Sequence, residues 1–301
     1  MSENVTHTAV LDDCFRLMLA SDQICPAFKA AGREHHEFAQ LGSITRWGDR
    51  FTVKLLADHR AAWPDRTPEA LLEPKLAFVL GWLCHRAADR QMKPLFRQAD
   101  PEGRQKPTEC SIYQDAFLFR EVYASGKAAP YHPAMFEKGL ESLPAASWMD
   151  APAVEELFHV LLQRSLLQLH TFIPNGEDVE GWLDRLFSLR QRFSVDLKRY
   201  AAAVAGLDDG TVQRFVEESG FYDRGAPIIA AARALQRGEA IEPHALREAA
   251  EVEAPSHYAQ ALKLGFGYLR AASDFFTSDM TPEELSRRLD IGSPGRDGQA
   301  V

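Results

Sequence analysis

Apolar residues recur every three or four positions along almost the whole chain, and the strict alternation of a half-buried strand is essentially missing. The pattern predicts an all-α protein. One or two helices are expected over residues 5–31, broken near Pro26, followed by helices over 49–62, 68–93 and 110–125. In the last of these Ile112, Ala116, Phe119 and Tyr123 form an apolar stripe. Residues 100–108 and 124–133 are polar and rich in Gly and Pro, as loops are. Beyond Ser147 the periodic stretches lengthen. Residues 153–172 and 178–204 read as an antiparallel pair, turned by Pro174 and Gly176. The second member aligns Trp182, Leu186, Leu189, Phe193, Leu197, Tyr200 and Val204 on one face, a stripe that reads as core. Shorter helices at 211–219 and 226–237 precede a long one expected from about 243 to 276. The organisation this implies is a single large multi-helix domain: a metal-binding helical core over 1–145, a helical bundle packed on it over 146–290, and a disordered tail at 291–301.

Within this pattern one stretch stands out. Leu76 to Cys84 is apolar at every position except Gly81, and directly after it come His85 and Asp89, one helical turn apart. An imidazole and a carboxylate converging at the end of a buried run need compensation. Either a salt bridge with hydrogen bonds or a shared divalent metal supplies it. Four further residues are candidate ligands: His7 near the start of the first helix, Asp49 after a turn, His59 ten residues later, and Asp115 inside the apolar stripe of its helix. Each also has a purely structural reading. Asp49 suits a helix N-cap, His59 a helix C-terminus, and His7 a solvated terminus, whereas an acid among apolar neighbours, as at Asp115, requires a partner. Three imidazoles with three carboxylates are a donor set for zinc, iron or manganese.

His7 in VTHTAVLDDC, Asp49 closing LGSITRWGD, His59, and above all GWLCHRAADRQMKP followed by SIYQDAFLF resemble the zinc-dependent phospholipase C family, whose all-helical fold is related to the fungal single-strand nucleases. Gly81, Leu83, His85, Asp89 and Pro94 match that family's central helix, and Asp115 stands where a later acid falls. The resemblance covers roughly Thr6 to Tyr123. It implies a phospholipase C/nuclease type of fold, a divalent metal (zinc first, iron or manganese as alternatives) held by His7, Asp49, His59, His85, Asp89 and Asp115, and hydrolysis of a phosphoester. Three departures narrow it: the chain starts with Met1 and Ser2 instead of a tryptophan ligand, Lys93 lies where the family supplies another histidine, and Asp115 replaces a glutamate. One or two metals are therefore expected instead of three.

Charge and composition limit the partners. The chain of 301 residues carries 34 Lys and Arg against 43 Asp and Glu, a net charge of -9 with both signs interspersed, so no broad nucleic-acid surface is expected. No apolar run approaches the ~20 residues of a membrane helix, and the start has no secretory pattern, which reads as cytoplasmic. Cys14, Cys25, Cys84 and Cys110 are too widely spaced for a disulfide framework or zinc ribbon. The expected chemistry is metal-activated water attacking a small phosphorylated molecule or a phospholipid headgroup, with Asp49 as ligand and general base. Lys93 and Arg90 are candidates for phosphate recognition or for plain surface solvation. Two alternatives use the same residues: a non-enzymatic helical interaction protein with a buried His/Asp network, and an iron-dependent oxidative enzyme.

Overall fold

The computed structural model describes residues 4–45, 48–102, 108–123 and 176–292. All regular structure among them is helical: α1 (Asn4–Ala20), α2 (Pro26–Glu34), α3 (His36–Ser43), α4 (Thr52–Ala62), α5 (Leu72–Ala99), α6 (Glu109–Tyr123), α7 (Val179–Ala205), α8 (Asp209–Val212), α9 (Pro227–Gln236), α10 (Pro243–Glu251), α11 (His257–Thr277) and α12 (Pro282–Arg288). The helix expected over 153–172, the loop at 124–133 and most of the tail lie outside the described residues. No described helix is long and apolar enough to cross a membrane.

The apolar run that marks α5 in the sequence makes it the central element. From Leu76 to Arg90 only Phe78 escapes full burial. Its most extensive contacts are with α3 and α11, while α1, α2 and α4 complete the cover. Each buried Leu of this helix contributes roughly 2 kcal/mol. The α3–α5 crossing depends on two glycines. A Cβ added at Gly42 would lie 2.0 Å from the Phe78 carbonyl oxygen, and one at Gly81 1.9 Å from that of Ala39, so the two backbones touch directly. A single cluster of buried apolar residues runs from Val5 to Leu289 and draws on both halves of the chain.

Two buried polar assemblies lock the elements together. On α1, Asp13 accepts from Arg16 Nη1 (2.6 Å), from the Tyr258 hydroxyl (2.8 Å) and from Arg233, which ties α1 to α9 and α11. Its neighbour Asp12 accepts from Tyr123 OH and faces His36 Nε2, each at 2.8 Å. At the far end, Arg86 donates to the carbonyls of Leu289 (3.0 Å) and Asp290, and Arg90 reaches the same Asp290 carbonyl at 2.7 Å. Asp290 adopts the left-handed conformation (φ 53°) that follows a helix end, with its carboxylate held by Tyr268 OH at 2.9 Å.

Several boundaries differ from the sequence pattern for identifiable reasons. The long helix expected from 243 to 276 is two helices, because Pro255 disfavours helical backbone at Ala254 and Ser256 caps the amide of Ala259. Instead of ending at Lys93, α5 passes through Pro94 to Ala99, drawn on by Leu95 and Phe96 packing against the core. The short α3 has too few residues to show a period. By contrast, α12 does carry a start signal, the Thr281–Glu284 capping box with Pro282 at its first turn.

Candidate metal centre

The wide apolar face of α1 turns His7 inward onto α5, where His85 and Asp89 sit one turn apart, and all three side chains are buried. His7 Nε2 lies 3.3 Å from Asp89 Oδ1, and His85 Nε2 lies 3.3 Å from Asp89 Oδ2. The two imidazole rings are tilted against each other with centroids 4.6 Å apart. One ligand atom from each residue falls within 4.8 Å of the other two. These separations are long for charge-assisted hydrogen bonds, about 2.7–2.9 Å, and close to the ~3.4 Å between two ligands of one tetrahedral cation.

The last residue of α3 determines how His85 presents itself. Its Nδ1 lies 2.8 Å from the Ser43 carbonyl oxygen, an acceptor only, so Nδ1 must carry the proton. In the neutral ring Nε2 then holds a lone pair aimed at Asp89, an arrangement of two acceptors that calls for a cation or a second proton between them. Burial pushes the Asp89 carboxyl up, but the adjoining His85 and His7 more than offset this and hold it well below its ordinary value. The carboxylate is ionised. Lys93, one turn further along α5 and about a third exposed, reaches Asp89 Oδ2 at 2.8 Å and stands at the outer edge of the group. Chemically, the arrangement can hold a divalent cation through two imidazole nitrogens and a carboxylate, or stand alone as a His–Asp–Lys network.

The other three expected ligands lie elsewhere. Asp115 does point inward and is fully buried, but Oδ1 accepts from the Thr6 amide (2.8 Å) and hydroxyl (2.7 Å), and Oδ2 from Tyr200 OH at 3.0 Å. It caps the free amides at the start of α1 from a neighbouring helix. Asp49 is paired with Arg86, in the assembly that holds the carbonyls of Leu289 and Asp290. His59 turns Nδ1 to the Leu55 carbonyl of its own helix, and its buried Nε2 has no hydrogen-bond partner among the described residues. Burial lowers the His59 pKa accordingly. Sequence reasoning missed two components: the Ser43 carbonyl, which is backbone and leaves no residue-type signal, and the Asp89–Lys93 pair, whose four-residue spacing was visible.

Burial pushes the Asp115 carboxyl up to about 6 against the opposing hydrogen bonds of Thr6 and Tyr200. With a folded pKa above the unfolded one, its contribution to stability is fully present below about pH 4 and is lost as the pH rises through 6, by at most about 3 kcal/mol. Asp115→Asn should therefore flatten the difference between urea midpoints at pH 4.5 and 7.5. Asp115→Ala removes the acceptor of the Thr6 amide and hydroxyl and should cost about 3 kcal/mol at pH 4.5, and less at pH 7.5, where ionisation has already withdrawn part of the Asp115 contribution. Parallel pH profiles for wild type and Asp115→Asn would refute this assignment.

Among known proteins, no family model, no curated protein and no solved structure matches this chain.

Proposed function

We propose that His7, His85 and Asp89 bind a divalent metal ion, zinc first, and that the protein uses it to hydrolyse a phosphoester. The observation that carries this reading is the convergence of three ligand atoms within 4.8 Å, with His85 Nδ1 turned to the Ser43 carbonyl so that Nε2 faces the Asp89 carboxylate across 3.3 Å. A cation there would supply a water of lowered pKa and neutralise a phosphate oxygen. Lys93 adds positive charge where the anionic group would enter. The motif residues shared with the zinc-dependent phospholipases C support the same reading, including a fold of the phospholipase C/nuclease type. Four free cysteines, Cys14, Cys25, Cys84 and Cys110, suit a reducing cytoplasmic setting. The substrate class is a small soluble phosphorylated molecule in preference to bulk lipid.

A second reading rests on Lys93. Its ammonium already neutralises Asp89 at 2.8 Å, as in a purely structural ion network. The deciding experiment offers activated phosphomonoesters, phosphodiesters and a soluble phosphocholine ester to chelated and to zinc-, manganese- or iron-reconstituted protein. Turnover is expected with zinc, and should vanish on chelation and in Asp89→Asn. A fully loaded site without turnover would overturn the hydrolase, and failure to take up metal would leave the network.

A further inference from the structure

A second group of side chains with metal-ligating atoms close together lies on the surface, separate from the interior group and from every residue the sequence pattern singles out. Here α2 ends at Glu34 and α3 begins at His36, with His35 between them in a conformation that belongs to neither helix (φ -132°, ψ 37°). Backbone groups alone perform the capping at this joint: the His35 amide donates to the Ala31 carbonyl (3.0 Å), and the His35 carbonyl accepts from the Phe38 amide (3.1 Å). The imidazole makes no capping bond and projects toward the first turn of α5. There its Nε2 lies 3.7 Å from Glu73 Oε2, beyond hydrogen-bond range but close to the separation of two ligands on one cation. Glu34 completes the set, its carboxylate falling with the other two ligand atoms inside 4.8 Å.

Glu73 is oriented from behind. Arg66 Nε holds Oε1 at 3.1 Å, which leaves Oε2 turned to His35. Arg66 is itself placed by the Trp63 ring, 4.6 Å below its guanidinium, and by the Trp63 carbonyl at 3.2 Å. Arg66 engages only one oxygen of Glu73, so Oε2 remains turned to His35, where a dication could be shared.

We infer that Glu34, His35 and Glu73 form a second divalent-cation site of zinc or manganese type, which clamps the α2–α3 joint to the start of α5. The mixed nitrogen and oxygen donors suit those ions, and partial exposure leaves room for water to complete the shell. The helix clamped at its start by His35 is the one whose last carbonyl, at Ser43, orients His85 in the interior.

The test is zinc stoichiometry by equilibrium dialysis and metal analysis on the untagged full chain, in wild type, His35→Ala, Glu73→Gln and His85→Ala. His35→Ala and Glu73→Gln should each lose the same one equivalent, or weaken it at least tenfold. Their unfolding midpoints in chelator should match wild type, because both side chains are partly exposed. The zinc-induced rise in midpoint should survive in His85→Ala at this site. A wild type with two equivalents and a His85→Ala variant with one would show both sites; one equivalent lost only with His35 would support the surface site and reject the interior one. Unchanged stoichiometry and affinity in both His35→Ala and Glu73→Gln would overturn the inference.

Discussion

Gly81→Ala is expected to cost at least about 3 kcal/mol, the upper part of the range for overpacked interiors. The added methyl would meet the Ala39 carbonyl oxygen at 1.9 Å, its carbon at 2.6 Å and its Cα at 2.8 Å. All three are backbone atoms, so no side chain can swing aside and α3 itself must move. That movement would draw the Ser43 carbonyl away from His85, so surviving folded protein should also bind metal more weakly. Gly267→Ala on α11 is the control, since nothing lies within 4 Å of its added Cβ. Relief of glycine's conformational cost there should stabilise by up to ~1 kcal/mol. Urea midpoints for the two variants should move in opposite directions. A Gly81→Ala midpoint equal to wild type would mean that the α3 and α5 backbones are not in direct contact at this position.

His85→Ala should lower the affinity for zinc at the proposed interior centre more than ~100-fold, because it removes one of the three candidate ligands among the described residues. Lys93→Met should act in the opposite direction. Its ammonium sits 2.8 Å from Asp89 Oδ2, and a cation binding to that carboxylate must displace or repel it. Removing the like charge should strengthen zinc binding about tenfold, or about 1.4 kcal/mol. Competition titrations against a chromophoric chelator measure both. If neither substitution changes the interior equivalent, Asp89 is held by its neighbours alone and the metal reading fails.

The residues differ in how visible these features are before folding. His85 and Asp89 meet through local helix geometry, and their convergence follows from spacing. His7 joins them across 82 positions, so its residue type is visible but its neighbours depend on how α1 packs against α5. The burial of Asp115 follows from its place in an apolar stripe, yet what it bonds does not: the open amides of another helix's first turn attract a carboxylate as effectively as a cation does. Asp49 adjoins a helix start as expected, but Phe51 occupies the cap position and Arg86 captures the carboxylate. The helical class and most helix positions follow from periodicity over long segments. Where an element is eight residues, as in α3, or where one Pro interrupts an otherwise continuous pattern, as at Pro255, tertiary contacts and cap chemistry decide.

The grip of Arg86 and Arg90 on the backbone at Leu289 and Asp290 also bears on how the molecule assembles during synthesis. The Arg86–Asp290 contact closes a loop of 204 positions, and α11 is among the principal covers of α5. Closing so large a loop carries an entropic cost that must be met before its contacts give any return. A nascent chain that has emerged only through α6 therefore exposes one flank of its central helix, a surface that attracts chaperones or other unfolded chains. The cover of α5 is complete only when α11 has been made, so full burial of the N-terminal half waits on translation of the C-terminal half.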